Sequence, residues 1–341
     1  MNASRFLGAF FFILVASFVA CSEKKNATEI WQNAAGENTQ IADTEKSTTE
    51  TPVTLRTAAA STPEKPGKQR VTRFLAYNLK NYLSMRRYIN GIAILKAKPA
   101  EEVEALINII SSAKPDILGV CEIGTEADLK DLQARLDAAG VKLTYTHRVH
   151  GSDYTRALAI LSRYPIIQTN TPKQLDYTIN ATPFTISRGI LDTTIQLPNR
   201  KVRFLGVHFK SKRPTKEADQ SLMRRSESLL LRKHIDDILT TDPTTQLLAY
   251  GDFNDTKRSK TLFSARGRSN SSLHMKMIEL TDSRKETWTH YWESEGIYSR
   301  IDYIMANPNL APSIIVKDSK LLDPVNWQVA SDHRPMLVLI K

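Results

Sequence analysis

Apolar residues recur at helical spacing in two stretches of the chain. The first stretch predicts an amphipathic helix over residues 101–113, which ends before Pro115 because proline disfavours helical conformation at the residue before it. The second stretch predicts a helix over residues 217–239. The apolar positions that carry these predictions are Val103, Leu106, Ile107 and Ile110 in the first helix, and Leu222, Leu229, Ile235 and Leu239 in the second.

Short runs of β-branched and other apolar residues lie around these helices. Many of the runs are almost continuously apolar, which is typical of strands covered on both faces. No repeat of fixed period is present, and the mixture of strands and helices indicates one large α/β domain. The predicted strands cover residues 72–78, 116–121, 157–162, 190–196, 202–208, 246–251, 301–306 and 335–340.

The first 20 residues have the form of a secretory signal. Arg5 precedes the apolar run from Phe6 to Ala20, which is short for a membrane span. The phrase from Phe18 to Cys21 resembles a bacterial lipobox, which predicts Cys21 as the lipidated first residue of the mature protein. An uncleaved N-terminal anchor is the alternative. Either interpretation places the rest of the chain outside the cytoplasm, attached to the cell envelope.

Residues 21–70 are rich in Ser, Thr, Glu, Asn and Pro and have almost no apolar periodicity. Such a segment buries too little apolar surface to offset the entropy of ordering, so we expect a disordered tether. The folded domain is then expected over residues 71–341. This domain contains 39 Lys and Arg against 29 Asp and Glu, a net charge of about +10. The positive balance favours a polyanionic or phosphate-bearing partner, although a solvated basic surface without a partner is the other interpretation.

Polar side chains follow the apolar runs at the points where the predicted strands end. Carboxylates and amides are the groups that hold a hard divalent cation, and imidazoles move protons near neutral pH. Asp252 and Asn254 are two residues apart, so their side chains would share a face if the strand continued past Asp252. In chain order these polar residues are Asn78, Glu122, His208, Asp252, Asn254, Asp302, Asp332 and His333.

This ordered set resembles the endonuclease/exonuclease/phosphatase superfamily, with its DNase I-like fold, over residues 72–341. The resemblance rests on Asn78, Glu122 and His208, and on the motifs GDFN (251–254), RIDYIM (300–305) and SDHRP (331–335). It implies a four-layer α/β sandwich of two packed mixed β-sheets flanked by helices. It also implies a metal-dependent phosphodiesterase or phosphomonoesterase with its site at the strand ends.

The resemblance also implies a role for each residue. Glu122 would be the principal Mg²⁺ ligand with Asn78 close by, Asp332 a further carboxylate beside the metal, and Mn²⁺ an alternative ion. Asp252 would orient or deprotonate the attacking water, and Asn254 would help to hold water or phosphate. His333 would stand beside the scissile phosphate with Asp302 setting its tautomer. His208 would contact phosphate or the leaving group.

Three basic residues are candidates for phosphate contacts, namely Arg156, Arg188 and Lys210. Lys212 and Arg213 follow closely, which favours nucleic acid as the substrate. Trp288, Trp292 and Tyr298 lie in a polar segment just before Asp302, where they could stack on a base, insert beside a lipid headgroup, or simply pack in the core.

The sequence therefore predicts an exported, monomeric, Mg²⁺-dependent phosphodiesterase, with an endonuclease or exonuclease as the leading interpretation. A phosphodiesterase of the same fold that acts on lipid or inositol phosphates is the first alternative, and an exposed apolar hairpin would favour it. A non-catalytic envelope-binding module is the second alternative. The complete set of acid, amide and imidazole side chains argues against that module.

Overall fold

The computed structural model describes residues 70–341. The predicted signal sequence, Cys21 and all but the last residue of the predicted tether lie outside the described residues. In chain order the elements are β1 (Thr72–Tyr82), β2 (Met85–Ile89), β3 (Ile92–Lys96), α1 (Ala100–Ala113), β4 (Ile117–Ile123), α2 (Glu126–Ala138), β5 (Tyr145–Val149), β6 (Ala157–Ser162), β7 (Ile166–Thr169), β8 (Asp176–Ile179), β9 (Thr182–Thr185), β10 (Ile190–Gln196), β11 (Lys201–His208), α3 (Gln220–Thr241), β12 (Leu247–Asp252), α4 (Lys260–Arg266), β13 (Lys276–Met277), β14 (His290–Trp292), β15 (Ile297–Ser299), β16 (Asp302–Ala306), β17 (Lys320–Leu321), α5 (Trp327–Ala330) and β18 (Met336–Ile340). Short 3₁₀ turns cover Glu293–Glu295, Ala311–Ser313 and Val316–Asp318.

Two mixed six-stranded sheets form the centre of the described part of the chain. The first has the order β17-β18-β1-β4-β6-β5, and the second has the order β13-β16-β12-β11-β10-β7. The central pairs β1–β4 and β11–β12 are parallel, whereas their outer neighbours run antiparallel. Parallel neighbours end at the same edge of a sheet, so each sheet brings two of the predicted polar strand ends together.

The two sheets pack face to face through an apolar layer. Phe74 of the first sheet contacts Phe204 and Tyr250 of the second, with ring centroids 5.1 and 4.9 Å apart. A Cβ atom on Gly119 would lie 2.3 Å from the Tyr250 ring, so only glycine leaves room for this ring between the sheets. The polar strand ends of both sheets are consequently held at a fixed separation.

Helices cover the outer faces of both sheets. Leu106 and Ile110 of α1, with Leu132 of α2, pack on the outer face of the first sheet. Leu231 and Ile235 of α3 pack on the outer face of the second sheet. The layers are therefore helix, sheet, sheet and helix, which confirms the predicted four-layer α/β sandwich. Among residues 70–341, no helix is both long enough and apolar enough to cross a membrane.

Three short two-stranded ribbons extend from this framework within the described residues, formed by the pairs β2–β3, β8–β9 and β14–β15. The eight predicted strands and two predicted helices are all present, with ends that differ by at most four residues. The elements that were not predicted are the three ribbons, β5, β7, β13, β17, α2, α4 and α5.

Candidate active site

Strand ends from both sheets converge at one edge of the sandwich. In the second sheet, Asp252 pairs in register with His208 on one side and with Asp302 on the other. In the first sheet, Asn78 pairs with Cys121, the residue before Glu122. Asn78 crosses the gap between the sheets, since its Nδ2 atom donates a hydrogen bond to Asp252 Oδ2 at 3.1 Å.

Asn78 connects several groups of the site. The same Nδ2 atom lies 3.4 Å from Glu122 Oε1 and 3.4 Å from His333 Nε2. Glu122 accepts a second hydrogen bond from the backbone N–H of Asn81 at 2.9 Å. The predicted metal-side pair, Asn78 and Glu122, is therefore in direct contact.

His333 stands among three carboxylates. Its Nδ1 atom lies 2.8 Å from Asp302 Oδ2, and both side chains are buried. Its Nε2 atom lies 3.7 Å from Asp252 Oδ2 and 3.9 Å from Asp332 Oδ1. Asp302 is itself held by its backbone N–H, which donates to the hydroxyl of Thr289 at 3.0 Å. The predicted contact between His333 and Asp302 is present, and Asp332 contacts the opposite ring nitrogen.

The backbone at the site adopts conformations that side chains usually avoid. Glu122 has a φ of 63° and Asn254 a φ of 52°, both in the left-handed region. Gly251 has a φ of 134°, and a Cβ atom there would lie 1.9 Å from the Val207 carbonyl oxygen. The left-handed positions of Glu122 and Asn254 cost about 1–3 kcal/mol each and persist where surrounding structure enforces them. The left-handed turn at Glu122 directs its carboxylate towards Asn78.

Asp252 and Asn254 were expected to share a face only if the strand continued past Asp252. Strand β12 ends at Asp252, so this condition is not met. The chain turns at Asn254, whose backbone N–H donates to Asp252 Oδ1 at 2.8 Å. Its side-chain Nδ2 donates to the Phe209 carbonyl at 2.9 Å. Asn254 thus fixes the orientation of the Asp252 carboxylate and ties it to the chain just after His208.

Burial and nearby charges shift the pKa values of His208 and His333 in opposite directions. Burial lowers the pKa of His208 well below its usual value, and the nearby Arg188 adds to this effect, so this imidazole is neutral. Burial would also lower the pKa of His333, but the surrounding carboxylates, Asp302 above all, outweigh it and raise that pKa well above its usual value. Burial and the Asp302 carboxylate raise the pKa of Asp252. The site therefore offers a protonated imidazole, a neutral imidazole and a carboxylate with raised basicity.

Concentrated negative charge makes the site suitable for a divalent cation. One ligand atom from each of Asp252, Asp302 and His333 lies within 4.8 Å of the others, and the same holds for His290, Asp332 and His333. Glu122 adds a carboxylate that is only partly buried, 3.9 Å from His208 Nε2. Because burial and mutual repulsion raise the pKa of Asp252, a bound cation would relieve the repulsion, and the oxygen-rich set fits a hard ion such as Mg²⁺.

The three predicted phosphate-binding residues occupy different positions. Arg156 Nε donates to Asn81 Oδ1 at 2.7 Å, and Asn81 in turn bonds Glu122, so this guanidinium adjoins the site. Arg188 lies 3.5 Å from Asp153, and its buried Nε atom has no hydrogen-bond partner among residues 70–341. The Lys210 ammonium instead donates to the carbonyls of its own loop, at Ser211 and Arg213.

His290 is a site residue that the sequence reasoning missed. Its ring centroid lies 4.7 Å from that of His333, and its Nε2 atom lies 4.0 Å from Asp332 Oδ2. Burial, together with the charge of His333, lowers its pKa to about 4, so it is a neutral ring and a candidate ligand. The signal for this residue in the sequence was weak, because His290 lies in a three-residue strand that shows no alternation of apolar and polar positions.

Aromatic side chains form one wall beside the site. Tyr291 stacks on Tyr298 with centroids 4.4 Å apart, and Trp288 lies 4.7 Å from Tyr298 and 5.1 Å from Trp327. A cavity of about 300 Å³ opens between this wall and Asp332. Its lining includes Lys80, His290, Tyr291, Trp292, Trp327 and Asp332.

Comparison with known proteins agrees with this geometry. A sequence profile described as the Endonuclease/Exonuclease/phosphatase family matches residues 75–333. No curated protein matches the chain.

The fold is similar to those of several solved structures. An endonuclease/exonuclease/phosphatase from Bacteroides vulgatus aligns with a TM-score of 0.56 at 16% identity, covering 80% of this chain and 99% of that one. The human Nocturnin catalytic domain aligns with a TM-score of 0.55 at 15% identity, covering 80% and 94%. Sphingomyelinase C from Streptomyces griseocarneus aligns with a TM-score of 0.51 at 14% identity, covering 80% and 100%.

The fold and the profile together define the class of protein as a metal-dependent phosphoric ester hydrolase. The chain belongs to the endonuclease/exonuclease/phosphatase family, as the ordered motifs had indicated.

Proposed function

We propose that this protein is an exported, Mg²⁺-dependent phosphodiesterase that hydrolyses nucleic acid, with Mn²⁺ as a substitute ion. Glu122 and Asn78 would hold the cation, with Asp332 as a further carboxylate. When bound, the cation neutralises charge on the phosphoryl oxygens.

The chain's own residues would divide the remaining chemistry. Asp252 accepts the proton of the attacking water in its ionised form, which a bound cation would favour, and Asn254 keeps that carboxylate oriented. His333, protonated and held by Asp302, donates from Nε2 to a phosphoryl oxygen or to the leaving oxygen. Neutral His208, whose Nε2 atom lies 3.6 Å from Asp252 Oδ2, would donate a hydrogen bond to the phosphate.

The observation that carries the choice of substrate is the aromatic-walled cavity beside Asp332. Tyr291, Trp292 and Trp327 line this cavity, and Lys80 supplies a positive charge there. Planar bases stack on such rings with little dependence on sequence, which is worth about 1–3 kcal/mol per base. Arg156 adjoins the site through Asn81, and Arg188 is near enough for its charge to lower the pKa of His208, so both guanidinium groups would take neighbouring phosphates.

A lipid phosphodiester is the second candidate substrate. The ribbon β2–β3 exposes apolar side chains close to the site, which is the feature expected for that alternative. Sphingomyelinase C is also among the proteins of similar fold.

The test is a substrate panel of plasmid DNA, RNA, sphingomyelin vesicles and bis-p-nitrophenyl phosphate, each with Mg²⁺ and with EDTA. The proposal expects Mg²⁺-dependent cleavage of DNA or RNA. Cleavage of the lipid without cleavage of either nucleic acid would establish the second candidate instead. Failure to hydrolyse any member of the panel would indicate a binding module.

A variant pair sharpens this test. Arg188→Gln should reduce the slope of log K for nucleic-acid binding against log salt by about 1, because one phosphate contact is lost. Arg163→Gln removes the same charge beside Asp116, which precedes β4 at the edge opposite Glu122, and should leave the slope unchanged. Equal slopes for the two variants would contradict a phosphate contact at Arg188.

A further inference from the structure

The ribbon formed by β2 and β3 exposes apolar side chains on both of its faces. Tyr88 is 80% exposed, Leu95 73% and Ile92 64%. Residues paired across the ribbon share a face, and the register pairs Arg86 with Leu95 and Arg87 with Ile94. Tyr88 and Leu95 therefore lie on one face, whereas Ile92 and Ile94 lie on the other.

The ribbon is a defined element with a tight turn. Asn90 and Gly91 have φ values of 51° and 80°, as a two-residue hairpin turn requires. Within the described residues it pairs with no third strand. A lone two-stranded ribbon is marginally stable in water, so its apolar surface indicates a partner that completes it.

The base of the ribbon is anchored beside the active site. Arg87 donates to the carbonyl of Asn81 at 3.1 Å, and the backbone of Asn81 bonds Glu122. Lys98 donates to the carbonyl of Lys80 at 3.0 Å. The tip of the ribbon therefore extends from the same segment that borders the site.

The charge around the ribbon has one sign. Between Leu79 and Ala100 the sequence contains five basic residues and no acidic residue. The five are Lys80, Arg86, Arg87, Lys96 and Lys98. Lys98 is buried and paired with Glu102 at 2.8 Å, whereas Arg86 and Lys96 are exposed to solvent. This arrangement, an apolar tip above a basic base, complements a surface that is negatively charged outside and apolar beneath.

We propose that the β2–β3 ribbon inserts its tip into the headgroup region of an anionic phospholipid bilayer, with its basic residues on the lipid phosphates. A bilayer can cover both apolar faces at once, whereas a nucleic acid gives aliphatic side chains little to bury against. The open edges of the ribbon limit insertion to the interface, because unpaired backbone groups are not tolerated in the hydrocarbon core. This docking goes beyond the proposed hydrolysis of nucleic acid and does not depend on it.

The test is hydrogen exchange on the full chain with vesicles of phosphatidylcholine alone or mixed with phosphatidylglycerol. We expect the amides of residues 85–96 to exchange about tenfold more slowly on the anionic vesicles, since exchange reports local opening. Residues 1–69 are the same in every variant, so any membrane contact that they make is the same in all of them. A difference in exchange that is confined to residues 85–96 therefore reports binding by the ribbon. Unchanged exchange on anionic vesicles would overturn the proposal.

Two variants test the apolar and basic parts separately. Tyr88→Ser with Leu95→Ser should abolish the slowing, whereas Phe263→Ser with Ile167→Ser, which removes exposed apolar groups on α4 and β7, should retain it. Arg86→Gln with Lys96→Gln should weaken binding to the anionic vesicles by about fivefold per residue (about 1 kcal/mol each), which is enough to remove a tenfold slowing of exchange. If the amides of β1 and β4 also exchange faster in the Tyr88→Ser, Leu95→Ser variant, that variant is misfolded. The Arg86→Gln, Lys96→Gln variant then decides whether the ribbon binds the bilayer.

Two further outcomes would refute the proposal. If the Phe263→Ser, Ile167→Ser control lost the slowing to the same extent, the protein would be adsorbing to the vesicles non-specifically. Slowing of the same amides by DNA or RNA without vesicles would assign the ribbon to nucleic acid instead.

Discussion

Replacing Asp302 by asparagine should slow turnover far more than it weakens the fold. Asp302 Oδ2 lies 2.8 Å from His333 Nδ1, and both side chains are almost fully buried. A hydrogen bond to a charged group is worth about 1.5–3 kcal/mol. Loss of that amount from the transition state lowers kcat by about 10–150-fold. The loss approaches about 10⁴-fold if the asparagine amide also stabilises the wrong imidazole tautomer.

The pH profile supplies a second signature of the same change. The Asp302 carboxylate raises the pKa of both His333 and Asp252. Without its charge, both pKa values fall, so both limbs of the kcat profile should move to lower pH. A purely structural defect would reduce the amount of active protein without moving either limb.

Asp192→Asn is the matched control. Asp192 is also buried and lies 2.7 Å from an imidazole nitrogen, that of His234, but on β10 and away from the converging strand ends. This variant should lose stability in urea unfolding while retaining kcat. An Asp302→Asn enzyme with undiminished kcat, or an Asp192→Asn enzyme that loses as much, would refute the assigned role of Asp302.

Two further predictions concern the metal and Glu227. EDTA should abolish hydrolysis, and added Mg²⁺ should restore it. Glu122→Gln should weaken the affinity for Mg²⁺, measured by calorimetry, by on the order of tenfold or more. An unchanged affinity would exclude Glu122 as a ligand. Burial raises the pKa of Glu227 from 4.5 to about 7, so its stabilising contribution is present below pH 4.5 and is lost as the pH rises through 7. In urea unfolding, the stability of Glu227→Gln should therefore match that of the wild type near pH 4.5 and exceed it by up to about 3 kcal/mol above pH 7. A stability that depends on pH in the same way in both proteins would contradict this.

The parts of the fold that the sequence predicted are those with a strong local signal. Strands such as β6 and β12 are buried on both faces and read as continuous apolar runs. The polar strand ends were recognisable because residue type changes abruptly there, as from Tyr250 to Asp252. Helix α2 was missed although Leu129, Leu132 and Leu136 share its buried face and Thr125 forms a capping box.

Other features depend on contacts that no local pattern encodes. His290 meets His333 through an isolated bridge between distant segments. The ribbon β2–β3 contains an Asn-Gly turn signal, but its exposed apolar residues contradict the rule that apolar positions mark a core. Lys210 was predicted to face substrate from its place after His208, whereas the fold of its loop directs the ammonium back to Arg213.

The division of the site between two sheets has a consequence for refolding. The contact between Asn78 and Asp252 joins residues 174 positions apart and forms only when the sheets dock. Contacts of such long range form slowly, since loop closure must precede them. Helices and sequence-local strand pairs such as β10–β11 regain their circular dichroism signal before this docking without restoring hydrolysis. The return of activity after dilution from denaturant would therefore time the docking of the two sheets, and it should lag behind the return of secondary structure.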